Sequence, residues 1–319
     1  MNENNEDLYY ITLFGAEEDI GFVIKDIFGN KYSVSEISIS TGGENGFEFR
    51  DIESLNLSYF KDEPVNVSFK FNDCSVGKYV DLIIQNFMVY QSEVHGDFSS
   101  FINSHQEIQS LGIINCEEDV DLSELVNLKD LRYLSLSSSV ISRLPEGLHN
   151  LEYLDVMNCQ KLVDLDAVGS YSNLQYLNVS YIFDLEDFSF LSSLNNLRYL
   201  DARCTGFKEL NLLNENILYL NASSTKVADI YCAAILNLRS LLLENCDIKD
   251  FGYISELKEL RTLSISTKKI GVSGVDLSDM KYLLSLELNG FDLQNIAFGE
   301  VLIGLKKLTL RDCINTGIL

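Results

Sequence analysis

Three histidines, seven cysteines and 48 carboxylates are the groups in this 319-residue chain that could perform chemistry. His95, His105 and His149 lack the His-Glu-x-x-His spacing that sets two imidazoles on one helical face around zinc. Neither a metal nor a catalytic triad is expected at them. The cysteine count is odd and no Cys-x-x-Cys pair occurs, which argues against a disulfide framework and a zinc ribbon. Gly42, Gly43 and Gly46 lack the lysine and following helix of a phosphate-binding loop and read as a hairpin turn. The acidic triplets Glu17-Glu18-Asp19 and Glu117-Glu118-Asp119 could attract a cation, but solvated loops explain them with fewer assumptions. The expectation is therefore no catalytic residue, no cofactor and no metal.

Charge narrows the partner class. Only 24 Lys and Arg stand against the 48 acids, a net charge of -24 that repels nucleic-acid phosphates and anionic lipid. A basic protein partner is expected instead, with no nucleic acid and no membrane. The start Met-Asn-Glu-Asn-Asn-Glu-Asp lacks the positive region and apolar run of a secretory signal, and no stretch reaches the ~20 apolar residues that span a bilayer. A cytoplasmic location is expected.

What must position any functional surface is a repeat. The pattern L-x-x-L-x-L begins at Ile108, Leu131, Leu151, Leu174, Leu197, Ile217, Leu238, Leu260, Leu283 and Leu305, with spacings of 20 to 23 residues. Its L-x-L part alternates with period two, so the leucines of a short strand point inward and the intervening residues face the other way. A unit of this length cannot bury its own apolar face, but stacked parallel units hide their leucines against one another in a continuous core. Ile248, Phe251, Ile254 and Leu257 supply apolar positions on the return path.

The stretch Leu241-Leu-Leu243-Glu-Asn-Cys246-Asp-Ile248-Lys-Asp250-Phe251, running on to Leu260, resembles the 22-residue repeats of bacterial internalins, and the resemblance covers roughly residues 108–315. It implies a curved solenoid with strands on the concave face and short 3₁₀ or irregular segments on the convex one. The chain departs from secreted internalins in showing no signal peptide and no wall-anchoring tail. Bacterial leucine-rich-repeat ubiquitin ligases are an enzymatic precedent, but they carry a catalytic cysteine domain after the repeats, and this sequence runs only six residues past Cys313.

The ninth position of each repeat should turn a side chain inward to satisfy backbone groups where the strand ends. It reads Cys116, Ser139, Cys159, Ile182, Thr205, Thr225, Cys246, Lys268, Phe291 and Cys313, so four of the seven cysteines are expected to be inert core thiols. Cys74, Cys204 and Cys232 have no such explanation.

Residues 1–100 differ from the rest. Alternating runs over residues 9–14, 21–27, 32–39, 47–57 and 65–71, separated by turn signals, predict an acidic β-rich domain, with 18 Asp and Glu against 6 Lys and Arg. It is expected to cap the solenoid, with a separate binding domain as the alternative, and a short helix over 98–107 as the join. The predicted architecture is thus an α/β solenoid: a leucine-rich-repeat horseshoe of about ten repeats with parallel strands on the concave face over 101–319, preceded by that domain.

The third position of five consecutive repeats is tyrosine, namely Tyr133, Tyr153, Tyr176, Tyr199 and Tyr219. On the solvent side of the strands these rings are expected to form an exposed column about 19 Å long. Beside it run Asp155, Asn178, Asp201 and Asn221, and then Arg203. Tyrosines beside small polar and acidic groups have the composition of a protein-recognition surface. The expected function is a non-catalytic binding module for a basic protein, with an immunity or inhibitor protein as a concrete version. The rival is a bacterial effector whose first hundred residues hold an unrecognised enzymatic activity. A weak homodimer through the C-terminal strand is also expected.

Overall fold

The computed structural model describes residues 119–231, 235–267 and 275–318 without a break, together with shorter stretches before residue 119. In the first part, β1 (Tyr9–Phe14), β2 (Asp19–Asp26), β3 (Lys31–Tyr32) and β6 (Ser54–Asn56) make one antiparallel sheet, and β4 (Val34–Thr41), β5 (Phe47–Arg50) and β7 (Val65–Phe71) make another. These strands fall on or within two residues of the alternating runs. Of the helix expected over 98–107, Ile102 and Asn103 are helical, and most of the remainder lies outside the described residues.

The solenoid is carried by one parallel sheet of eleven strands. In chain order these are β8 (Phe87–Tyr90), β9 (Ser110–Ile113), β10 (Tyr133–Ser135), β11 (Tyr153–Asp155), β12 (Tyr176–Asn178), β13 (Tyr199–Asp201), β14 (Tyr219–Asn221), β15 (Ser240–Leu243), β16 (Thr262–Ser266), β18 (Ser285–Asn289) and β20 (Lys307–Arg311). β17 (Val275–Asp276) and β19 (Ile296–Ala297) pair separately. Pairing is in register, repeat position on repeat position, so Tyr133 faces Tyr153 and Leu134 faces Leu154. β8 is a strand that the leucine pattern does not reveal, because its register on β9 sets Met88 and Tyr90 opposite Leu111 and Ile113.

From β10 onward, every strand of this sheet except β16 is followed within three residues by one in the left-handed region. Ser138, Asn158, Tyr181, Cys204, Ser224, Asn245 and Asp312 have φ between 49 and 62°, and Gly290 takes the same place at 83°. The glycine is required there, since a Cβ on it would sit 2.2 Å from the Thr267 carbonyl oxygen. Backbone amides find partners along the array: the carbonyl of Arg132 accepts from both Glu152 and Tyr153, and that of Glu152 from Gln175 and Tyr176.

The core is a single run of leucines and isoleucines between the sheet and the return segments. Leu134, Leu154, Leu177, Leu200, Leu220, Leu241, Leu263 and Leu286 have no exposed surface. Short 3₁₀ turns such as Ser123–Asn127, Asp166–Ser170, Ser189–Ser193 and Gly252–Glu256 form the return path, each lending the core a side chain, for example Leu125, Val168, Leu191 and Ile254. Ile248, Phe251 and Leu257 are buried beside them.

Candidate binding surface

The five tyrosines do form a column, one ring on each of β10 to β14. Rings of Tyr153, Tyr176, Tyr199 and Tyr219 stack with centroids 4.1–4.2 Å apart and planes within 12° of parallel. Tyr133 stands off at 6.1 Å and 39°. The expected exposure is not found. Tyr176 retains 4% of its surface, Tyr219 6%, Tyr199 8% and Tyr153 9%, and Tyr133 alone is half-buried. In-register parallel strands bring equivalent side chains closer than a ring's width, so Tyr176 and Tyr199 have another ring on each face. Burial pushes the hydroxyls of Tyr176 and Tyr199 well above the usual value near 10, helped by neighbouring tyrosines and by Asp201, and raises Tyr133 and Tyr219 in the same direction.

The second row is also buried and has a backbone role. Asp155, Asn178, Asp201 and Asn221 keep between 0 and 4% of their surface. Each accepts a hydrogen bond from the amide two residues on: Met157 to Asp155 at 2.9 Å, Ser180 to Asn178 at 3.1 Å, Arg203 to Asp201 at 3.2 Å and Ser223 to Asn221 at 3.1 Å. This is an Asx turn, which bends the chain out of the strand just before the left-handed residue. Asp and Asn are interchangeable acceptors for it, which accounts for their alternation along the row. The solvent-facing acidic row expected from the sequence is corrected to a buried turn-forming row.

Arg203 remains accessible, its side chain 34% exposed, and its guanidinium lies 3.2 Å from the Asp201 carboxylate. Burial works against its charge, but Asp201 and then Tyr181 hold the guanidinium protonated. Its Cζ sits 5.3 Å from the ring centre of Tyr181. Further along the sheet the tyrosine position becomes Ser240, Thr262, Ser285 and Lys307. There Arg311 reaches Glu287 at 3.0 Å and Glu244 at 4.0 Å, and Glu244 accepts from Ser264 Oγ at 2.6 Å. This charged end of the strand face is not apparent from the leucine pattern, because its residues lie on different repeats.

The ninth-position ladder forms in part, with Cys159 and Cys246 buried as expected and Cys313 not. Ser139 Oγ donates to Ile113 O at 2.9 Å, Cys159 Sγ to Leu136 O at 2.9 Å and Cys246 Sγ to Ala222 O at 3.0 Å, each reaching the preceding repeat. Thr205 and Thr225 bond instead to carbonyls of their own repeat, Ala202 and Ala222, at 2.6 Å. Burial pushes the Cys159 thiol up to about 12 and that of Cys246 upward. Cys313 is only half-buried, as is Cys204 at a left-handed position. Cys74, Cys116, Cys232, His95, His105 and Lys268 lie outside the described residues. His149 Nδ1 lies 3.0 Å from the Ser170 carbonyl. Among the described residues no group of three His, Cys, Asp or Glu could hold a metal ion, and no helix is long and apolar enough to cross a membrane.

No family model matches the chain. A stretch of 132 residues, 39% of the chain, is 31% identical to disease resistance protein RFL1 of Arabidopsis thaliana, of whose length it spans 13%. Among solved structures, the internalin inlF of Listeria monocytogenes superposes with a TM-score of 0.53 at 22% identity, over 68% of this chain and 71% of that one. Internalin C2 of the same organism gives 0.52 at 20%, over 58% and 83%. The fold is therefore a leucine-rich-repeat solenoid with repeats resembling those of internalins.

Proposed function

We propose that the chain is a cytoplasmic protein-binding module that recognises a basic protein, and that an inhibitor neutralising a cationic, nuclease-like toxin is the concrete form this takes. The observation that carries the reading is the excess of 24 carboxylates on a repeat scaffold, which favours a partner of opposite charge. Tyr133 and Arg203, the accessible ones among the candidate residues, are direct contacts in this reading. The buried Tyr153, Tyr176, Tyr199, Tyr219, Asp155, Asn178, Asp201 and Asn221 form the stiff floor that fixes their positions. Residues 1–100 act as the cap of the solenoid in the same reading, with β8 as the strand through which the cap joins the repeat sheet. The test is recovery of the partner on the immobilised full chain, followed by association rates from 0.05 to 0.5 M salt. A basic partner whose association slows steeply with salt supports the reading, whereas an acidic partner or salt-independent association refutes it.

A further inference from the structure

We infer that Tyr181, Phe183 and Arg203 form the anchor of an interface for a protein segment that presents an apolar side chain flanked by Lys or Arg. The proposal rests on the protein-binding reading above and names where the contact is made.

Where a left-handed residue follows a strand of this sheet, it is small or is Asn or Asp in every described case but one. That one is Tyr181, at φ 62°. A bulky side chain is a poor occupant of this region, and Asn158 shows that the preceding repeat makes the same turn with a residue suited to it. Two residues on, where that repeat has Gln160 and the next has Gly206, stands Phe183. Neither ring joins the core. Tyr181 is 37% exposed and Phe183 62%, and they meet edge to face with centroids 6.4 Å apart. Val163, 47% exposed, lies on the adjoining repeat.

Arg203 from the next repeat lies over Tyr181, so three residue types enriched in interface cores gather on an outward rim. Solvation disfavours two exposed rings, and the backbone disfavours Tyr at that φ, so folding alone gives no reason for the choice. The charge nearby selects the partner. Asp184, Glu186 and Asp187 follow Phe183 directly and are exposed; among the described residues only Glu186 is in an ion pair, with Lys226 at 2.5 Å, and Lys208 acts on Glu186 and Asp187 from farther off. An apolar side chain can cover the rings while flanking cations meet these carboxylates.

The test uses a random twelve-residue peptide library, panned on the immobilised full chain, and a double variant, Tyr181→Asn with Phe183→Gln, that copies the preceding repeat. The expected result is enrichment of peptides with an apolar residue between Lys or Arg, binding the variant ~10-fold or more weakly, with a variant melting temperature no lower than the parent's. A fall in melting temperature overturns the proposal by making the rings structural. Enriched peptides without basic residues also overturn it. Peptides that bind parent and variant equally overturn the anchor but leave the protein-binding reading in place, whereas no enrichment at all counts against both. A dimer of the free chain that the double variant abolishes would assign the patch to a second copy and overturn the choice of partner.

Discussion

Replacing Tyr176 by alanine should destabilise the solenoid by about 3–5 kcal/mol, the range for removing a buried aromatic side chain. The ring is 4% exposed and stacked on both faces, against Tyr153 at 4.1 Å and Tyr199 at 4.2 Å. Removing it takes ~150–250 Å² of contact surface out of the column, ~4–6 kcal/mol at 25 cal/mol per Å² as an upper bound, and two ring pairs at ~0.5–1.5 kcal/mol each lie partly within that figure. Tyr133→Ala is the internal control. Tyr133 is half-buried with one tilted neighbour at 6.1 Å, so its loss should cost ~1 kcal/mol. Tyr176→Phe keeps the stack and removes a hydroxyl hydrogen-bonded to Tyr153, for ~0.5–1.5 kcal/mol. Equilibrium urea unfolding followed by far-ultraviolet circular dichroism measures all three. Were Tyr176→Ala to cost no more than Tyr133→Ala, the column would not be buried in solution and its tyrosines would return to the surface.

Three further outcomes are expected. The folded pKa values of Tyr176, Tyr199 and Tyr219 lie above the ordinary 10.0, so their contribution to stability is complete below about pH 10 and is lost as pH rises toward the folded values; tyrosinate absorbance should show a late class ionising with unfolding, and one titration of all 16 tyrosines near 10 in the folded chain would contradict this. A thiol reagent should modify the half-buried Cys204 and Cys313 before Cys246, with Cys159, pushed up to about 12, the slowest; prompt reaction of Cys159 in the native state would break the ladder register. β20 pairs within its sheet only with β18 and leaves Ile303, Leu308 and Ile314 85, 40 and 51% exposed, so sedimentation should detect weak concentration-dependent dimerisation that Leu308→Glu removes, and a strict monomer at millimolar concentration would count against it.

The inward half of this molecule is legible in the sequence because each inward residue answers one local requirement. A leucine three residues before another, and two more before a third, has to point at a neighbour repeat, and Leu151, Leu154 and Val156 all lie in the core. Cys159 and Cys246 were legible for the same reason: a small donor at a fixed distance from the strand finds the carbonyl left over by the preceding repeat. β8 is not marked by that pattern, since Met88 and Tyr90 stand opposite Leu111 and Ile113 of β9.

The outward half depends on relations between repeats, and a period of two carries no information about those. Alternation places Tyr176 on the face opposite Leu177, but whether that face is wet is decided by how closely Tyr153 and Tyr199 approach. Asp155 and Asn178 look like recognition residues when read as a row, although each is spent on an amide of its own chain two residues on. Across the left-handed column, Ser138, Asn158, Ser224 and Asn245 suit the turn, Asn158 also donating to Ser138 Oγ and accepting from Gln160, whereas the bulky Tyr181 suits it badly. In the proposed reading, binding is therefore marked where the repeat departs from its own backbone preference, at Tyr181, outside the aromatic column.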